Sequence, residues 1–279
     1  MKKIEFLSTY FNISDTLQCG QIFRFKPYLN GYLVYSLDKC CYAYEESGKT
    51  IIETNDCDYD YFYNYFDLHA DYKKIVDTAI SSDNPFLIKC AILGKGIRIL
   101  RQDTVETLFS FIVSQNNNIP RIKAIIEKLC VNLGEEREFL GEKYYSFPSL
   151  IKMADAPLEF YRGIGLGYRA PYLKNLAQDF INGFTLSDYE KLSTNDLKKN
   201  LTKIYGVGPK VADCTVLFGF HRGDSFPVDT WIEKVYKEDF KGNVTDRNAI
   251  SKYFVDTYKD NSGYFQQYMF YFKRSLDKK

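Results

Sequence analysis

A lysine at the head of an apolar helix, with a carboxylate nineteen residues further on, is the pair in this chain best suited to covalent chemistry. Lys210 follows Gly206-Val207-Gly208-Pro209, and Val211, Ala212, Val216, Leu217 and Phe218 make the ensuing helix apolar nearly all round. Burial and the positive end of the helix dipole both disfavour an ammonium there and predict a lowered pKa. A neutral amine is a nucleophile that forms Schiff bases. Asp229 stands in Pro227-Val228-Asp229-Thr230, at the start of another helix where Thr230 and Glu233 are spaced as a capping box. Its carboxylate is expected to stay ionised at the helix start and, if aimed at the Lys210 amine, to stabilise positive charge developing on a sugar. Read singly, Lys210 serves equally as a snorkelling side chain or a phosphate contact, and Asp229 as part of a cap.

The elements that must hold this pair are legible nearby. An amphipathic helix through Leu197, Leu201 and Ile204 ends at Tyr205, and Pro209 suits the first position of the next. Gly206 and Gly208 permit positive φ and close backbone approach. A helix–hairpin–helix over 205–210 is predicted, with free N–H groups that hold a phosphate without reading sequence. Cys214 lies four residues on, on the face of Lys210. From about Gly96 the period is helical: Val105, Leu108, Phe109, Ile112 and Val113 form one face, and Ile122, Ile125, Ile126 and Leu129 repeat it after Pro120. Further helices are predicted at about 149–161, 170–182, 186–191, 195–204, 209–221, 230–240, 247–259 and 263–276. The first 95 residues read instead as strands at 22–25, 31–35, 41–44 and 50–53, with a hairpin signal at Asn30-Gly31 and a short helix or loop between Asp56 and Tyr72. The expected class is α+β: an antiparallel β-sheet domain over 1–95, then a larger all-helical region over 96–279.

Composition bounds the partners. The 279 residues are 45% hydrophobic, with 24 Tyr and 22 Phe, which excludes disorder and suits two packed domains. Apolar runs such as Leu108–Val113 are far short of the roughly 20 residues that span a bilayer. The Met1–Glu5 start lacks the apolar stretch of a secretory signal, so a cytoplasmic protein is expected, and its compactness and charge suggest a monomer. Seven Cys without a C-x-x-C pair, beside two His, argue for reduced thiols and against a metal centre. With no Cys after Cys214, a C-terminal four-Cys iron–sulfur loop is excluded. The net charge of +1 divides into −4 over residues 1–90 (9 Lys+Arg, 13 Asp+Glu) and +5 over 91–279 (28 and 23). That balance permits a nucleic-acid partner without arguing for one.

Six stretches, in order, resemble the 8-oxoguanine DNA glycosylase/AP lyases of the helix–hairpin–helix (HhH-GPD) superfamily. They are Gly20-Gln21-Ile22-Phe23-Arg24; GIRILRQDTVETLFSFIVSQNNNIPR from Gly96 to Arg121; GLGYRAPY from Gly165 to Tyr172; VGPKVADC from Val207 to Cys214; Pro227-Val228-Asp229; and GYFQQYMF from Gly263 to Phe270. The resemblance implies a two-lobed helical region and, as partner, double-stranded DNA from which an oxidised guanine is flipped into a pocket. It assigns to Lys210 the attack on sugar C1′ and to Asp229 the support of that step. Gly20 would read the lesion's N7–H through its carbonyl, Phe270 and Cys214 would wall the base, and Gln266 would bond its Watson–Crick edge. Asn116 would fill the vacated hole, Arg121 and Arg169 would bond the orphaned cytosine, and Tyr168 would be the wedge. Gly206 and Gly208 would meet a phosphate, with a monovalent cation the one ion the superfamily leads us to expect. Trp231 departs from the pattern, standing where animal members carry a phosphate-touching histidine, and Pro209 replaces a hydroxyl residue. A related glycosylase for another damaged base and a non-catalytic damage-binding module are the competing readings.

Overall fold

The computed structural model describes residues 1–276; positions 277–279, the end of the expected helical region, lie outside the described residues. Five strands form one antiparallel sheet in the order β1-β5-β4-β3-β2: β1 (Lys2–Leu7), β2 (Phe25–Tyr28), β3 (Gly31–Ser36), β4 (Lys39–Glu46) and β5 (Lys49–Thr54). Strand β1 was not foreseen, and it pairs Lys2 with Thr54 through Leu7 with Lys49. Residues 22–24 lie outside the sheet, with Ile22 and Phe23 buried in different cores, although the Arg24 carbonyl still accepts from Tyr35 N–H (3.1 Å). Gln21 donates to the Arg98 carbonyl (2.7 Å) and accepts from Leu100 N–H (2.9 Å). The β2–β3 turn falls on Leu29-Asn30, one residue before the expected Asn-Gly, with Leu29 at φ +46°. Gly31 is needed for another reason: a Cβ there would sit 2.3 Å from the Ala43 carbonyl on β4.

The helices are α1 (Ile13–Gln18), α2 (Tyr59–Tyr65), α3 (Tyr72–Ile80), α4 (Pro85–Gly94), α5 (Thr104–Ser114), α6 (Ile119–Leu133), α7 (Leu150–Asp155), α8 (Leu158–Gly163), α9 (Ala170–Ile181), α10 (Thr194–Leu201), α11 (Pro209–Cys214), α12 (Thr230–Glu238), α13 (Arg247–Tyr258) and α14 (Ser262–Leu276). The helix expected over 149–161 breaks in two at Ala156-Pro157, since the residue before a proline is driven out of the α region. The one expected at 186–191 is a single 3₁₀ turn, Ser187–Tyr189. The later region is not wholly helical: β6 (Glu136–Phe139) and β7 (Glu142–Tyr145) form a hairpin whose Phe139 and Tyr144 pack on Leu33, Tyr35 and Tyr42 of the sheet.

Three larger cores organise the molecule. One fills the space between the sheet and α1 and α2. A second is built from α5 to α11. The third joins α3 and α4 to α12, α13 and α14, so chain from both ends shares one lobe. Lys210 belongs to an element of the second core and Asp229 to one of the third, which sets the pair at the seam. Among the described residues no helix is long and apolar enough to cross a membrane.

A buried ion pair ties the sheet domain to α5. Arg24 donates through Nη1 to both Glu106 oxygens (3.1 Å each) and through Nη2 to the Tyr145 carbonyl (2.7 Å), while Leu37 N–H donates to Glu106 (2.7 Å). Removing one partner of such a pair leaves an uncompensated buried charge. Glu106→Ala is expected to lower unfolding stability by about 3–5 kcal/mol, read from the urea midpoint at unchanged slope.

Candidate active site at the seam of the helical lobes

The hairpin forms as its glycines predict, with one difference. Gly206 has φ +85°, and a Cβ on it would meet the Tyr172 ring at 2.3 Å; its carbonyl accepts from Gln115 Nε2 (2.8 Å). Gly208 is extended (φ −90°) and caps α11 from open space, so it needs no left-handed backbone. Pro209 is the first helical residue. The α-helix runs only to Cys214 and widens into a π-helical turn over Thr215–Gly219. Lys210, in the first turn, is half-buried. Its Nζ lies 3.3 Å from Ser114 Oγ, at the end of α5, and 4.9 Å from the Phe111 ring centre. Ser114 had no assigned role; its only mark in the sequence is a hydroxyl ending an apolar helix.

Asp229 is itself the N-cap of α12. Its Oδ1 accepts from Trp231 and Ile232 N–H, each at 3.0 Å. The expected Thr230–Glu233 box does not form, because the cap falls one residue earlier and Glu233 makes a bidentate pair with Arg247 (2.8 Å twice). Burial pushes the Asp229 carboxyl above the usual aspartate range; the Ile232 N–H, the Lys210 charge and the Trp231 N–H work against that. Burial thus works against the ionised carboxylate expected at a helix start, while the cap N–H groups and the Lys210 charge favour it. Among the described residues no ion pair joins Lys210 to Asp229; the two act on each other through space across one cavity.

That cavity has a volume of about 1440 Å³, and its walls include Gly20, Asn116, Tyr168, Lys210, Asp229 and Phe270. Gly20 has φ +88°, and a Cβ there would lie 3.1 Å from Phe270 Cε1 and 3.3 Å from Arg274 Nη1. Gly20→Ala therefore strains the backbone and pushes on Phe270. On the activity that the sequence resemblance implies, excision of a damaged base is expected to fall about tenfold or more, from a strain of order 1–2 kcal/mol, while cleavage at a preformed abasic site is retained. A gel assay on the two substrates checks this. Gln266 and Cys214 lie behind the wall rather than on it. Gln266 is 4% exposed, donating to the Pro227 carbonyl (3.2 Å) and accepting from Gln267 Nε2 (2.9 Å). Cys214 is 3% exposed, and burial pushes its thiol up to about 12.

The remaining residues meet at the α5–α6 turn. Asn116 is exposed at φ +44°, and Asn118 caps α6 by accepting from Arg121 N–H (3.0 Å). Arg121 Nη2 donates to the Gly165 carbonyl (3.1 Å). Arg169 is only 3% exposed and clamps the turn from inside, Nε donating to the Gln115 carbonyl (2.7 Å) and Nη2 to that of Asn116 (2.9 Å). Tyr168 projects, 52% exposed, with the Arg169 guanidinium 4.4 Å from its ring centre. Trp231 lies on the cavity wall near Arg247, a cation that sequence reasoning did not single out.

Residues 109–255 match the HhH-GPD superfamily of base excision DNA repair proteins, and residues 3–108 match the 8-oxoguanine DNA glycosylase N-terminal domain. The chain belongs to the HhH-GPD superfamily, with the N-terminal domain of the 8-oxoguanine glycosylases. It is similar in structure to MBOgg1, solved with a low-affinity DNA ligand (TM-score 0.93, 36% identity, covering 99% of this chain and 96% of that one). It is similar also to the 8-oxoguanine glycosylase/lyase of Clostridium acetobutylicum, solved with double-stranded DNA holding cytosine opposite 8-oxoguanine (TM-score 0.91, 34% identity, 96% and 93% covered). The N-glycosylase/DNA lyase of Saccharomyces cerevisiae is 35% identical over 191 residues, 63% of this chain. The aligned stretch spans 50% of the yeast protein.

Proposed function

We propose that this protein is a bifunctional DNA glycosylase/AP lyase that excises 8-oxoguanine, preferentially opposite cytosine, from duplex DNA in base excision repair. The observation that carries the reading is the Lys210 amine and the Asp229 carboxylate on one cavity roomy enough for a flipped nucleotide, with Gly20 and Phe270 in the same walls. A stacked base is out of reach of a protein side chain, so the lesion is flipped. Tyr168 unstacks the neighbouring step, Asn116 takes the vacated space, Arg121 donates to the orphaned cytosine, and Arg169 joins it by exchanging its bonds to the Gln115 and Asn116 carbonyls for one to O2 or N3. The hairpin at Gly206 and Gly208 offers backbone N–H groups to a phosphate.

Inside the pocket the Gly20 carbonyl accepts from N7–H of the lesion. Ordinary guanine presents a lone pair there and leaves the carbonyl unsatisfied, which costs about 1–3 kcal/mol, roughly ten- to a hundredfold in rate. Phe270 holds the ring, and Cys214 and Gln266, behind the wall in the free protein, complete the pocket when the base enters, Cys214 at the ring's other face and Gln266 at its Watson–Crick edge. Lys210 attacks C1′ as a free amine while the bond from C1′ to the base nitrogen breaks and the base departs with that electron pair. Asp229 stabilises the oxocarbenium-like charge. Opening of the sugar ring gives a Schiff base, loss of a C2′ proton follows, and the C3′–O bond breaks by β-elimination.

The protein acts as a monomer, in the cytoplasm and at the nucleoid in a prokaryote. Borohydride added to protein and a duplex with one 8-oxoguanine:cytosine pair is expected to trap a covalent protein–DNA band. Tight binding with neither band nor cleavage would mean a damage-binding module instead, and trapping only with another lesion would mean a different substrate.

A further inference from the structure

Arg274 has no part in the chemistry above, yet it reaches the base pocket with a donor to spare. It lies four residues after Phe270 on α14, on the cavity wall, with its guanidinium carbon 5.2 Å from the Phe270 ring centre. Its Nη2 donates to the Gln18 carbonyl, which fixes the fork. Its Nη1 is buried without a hydrogen-bond partner among the described residues and lies 3.3 Å from where a Cβ on Gly20 would be. A buried guanidinium N–H without an acceptor is costly and uncommon. Desolvation pulls the group below the usual arginine range, which agrees with its enclosure.

The geometry points to Arg274 as a specificity-determining residue that donates from Nη1 to the C8 carbonyl oxygen of the flipped lesion. The role presupposes the glycosylase activity proposed above. Gln266, Phe270 and Arg274 stand at i, i+4 and i+8, spaced by about 6 Å along one helix face. With Gln266 at the Watson–Crick edge and Phe270 under the ring, Arg274 falls at the far edge, where C8 lies. Gly20 is at that same edge, so its carbonyl and Nη1 form an acceptor–donor pair. 8-Oxoguanine presents the matching donor and acceptor, N7–H and O8. Guanine has a lone pair at N7 and a C–H at C8, so it mismatches both. A single contact at Gly20 discriminates only ten- to a hundredfold by the estimate above, and a second, charge-assisted one supplies part of what is missing.

Single-turnover rates with Arg274→Ala and Arg274→Lys on two substrates test this: a duplex with 8-oxoguanine opposite cytosine, and the same duplex with a preformed abasic site. Loss of a charge-assisted bond to the base predicts release of 8-oxoguanine about ten- to a hundredfold slower in Arg274→Ala. The abasic substrate has no base to hold, so its cleavage should change by less than about twofold, and Arg274→Lys should recover part of the loss. Equal losses on both substrates would show a structural or phosphate-binding role and overturn the assignment, as would unchanged rates on both. Failure of the wild type to trap or cleave either duplex would fell the glycosylase reading itself, which the same gels separate from failure at Arg274.

Discussion

Lys210→Gln is expected to give no borohydride adduct and to slow base release at 8-oxoguanine:cytosine by roughly 10³- to 10⁶-fold, the range seen when a covalent nucleophile is removed. Glutamine keeps most of the side-chain volume and can still lie over the Phe111 ring and reach Ser114 Oγ, so packing at the head of α11 should survive. The variant should therefore bind lesion duplex close to wild-type affinity. What it loses is the lone pair that forms the bond to C1′. Strand cleavage at a preformed abasic site should fall with base release, because both steps need the same amine. Trapping of the variant at wild-type yield would move the nucleophile to another amine. Lys123 would then be examined first: it lies on the same cavity, and burial lowers its pKa.

The parts of this site legible in the sequence are those encoded by local backbone chemistry. Gly206, Gly208 and Pro209 punctuate an amphipathic helix and an apolar one, and the hairpin forms where they stand. The alternation at 31–35, 41–44 and 50–53 foretold β3, β4 and β5. Strand β1 escaped because six residues with Ile4 as their only fully buried side chain give little periodic signal. Strands β6 and β7 are four residues each, and their apolar side chains serve a sheet far away in the chain. Asp229 was found, but its cap position was misread by one residue, since Asp and Thr both cap helices well and local sequence does not rank them. Ser114, Arg247 and Arg274 could not be found this way. Each becomes significant through a neighbour distant in sequence: Lys210, Glu233 and Gly20 respectively.

Asp229→Asn is expected to divide activity from stability. Asparagine caps helices as well as aspartate and keeps the acceptor that Trp231 and Ile232 N–H need. Fold and cap should persist. The activity cost comes from the missing negative charge opposite the developing oxocarbenium, on the order of 10²- to 10³-fold in the rate of base release. The pH profiles separate charge from structure. Burial raises the carboxyl's folded-state pKa above its unfolded value. Activity of the wild type should therefore rise as pH climbs through that elevated pKa, and the variant should lose that acidic limb. Stability runs the opposite way. A raised carboxyl pKa means the native state binds the proton more tightly than the unfolded chain does. The penalty is absent below the unfolded pKa, grows as pH rises, and is complete above the folded one. The wild type thus carries a desolvation cost at neutral pH that Asp229→Asn removes. Thermal melts at neutral pH should place the variant at or above the wild-type Tm, with the gap closing as pH falls through the aspartate range. A variant that melts lower than wild type at neutral pH, with activity lost in proportion, would make Asp229 a cap and nothing more.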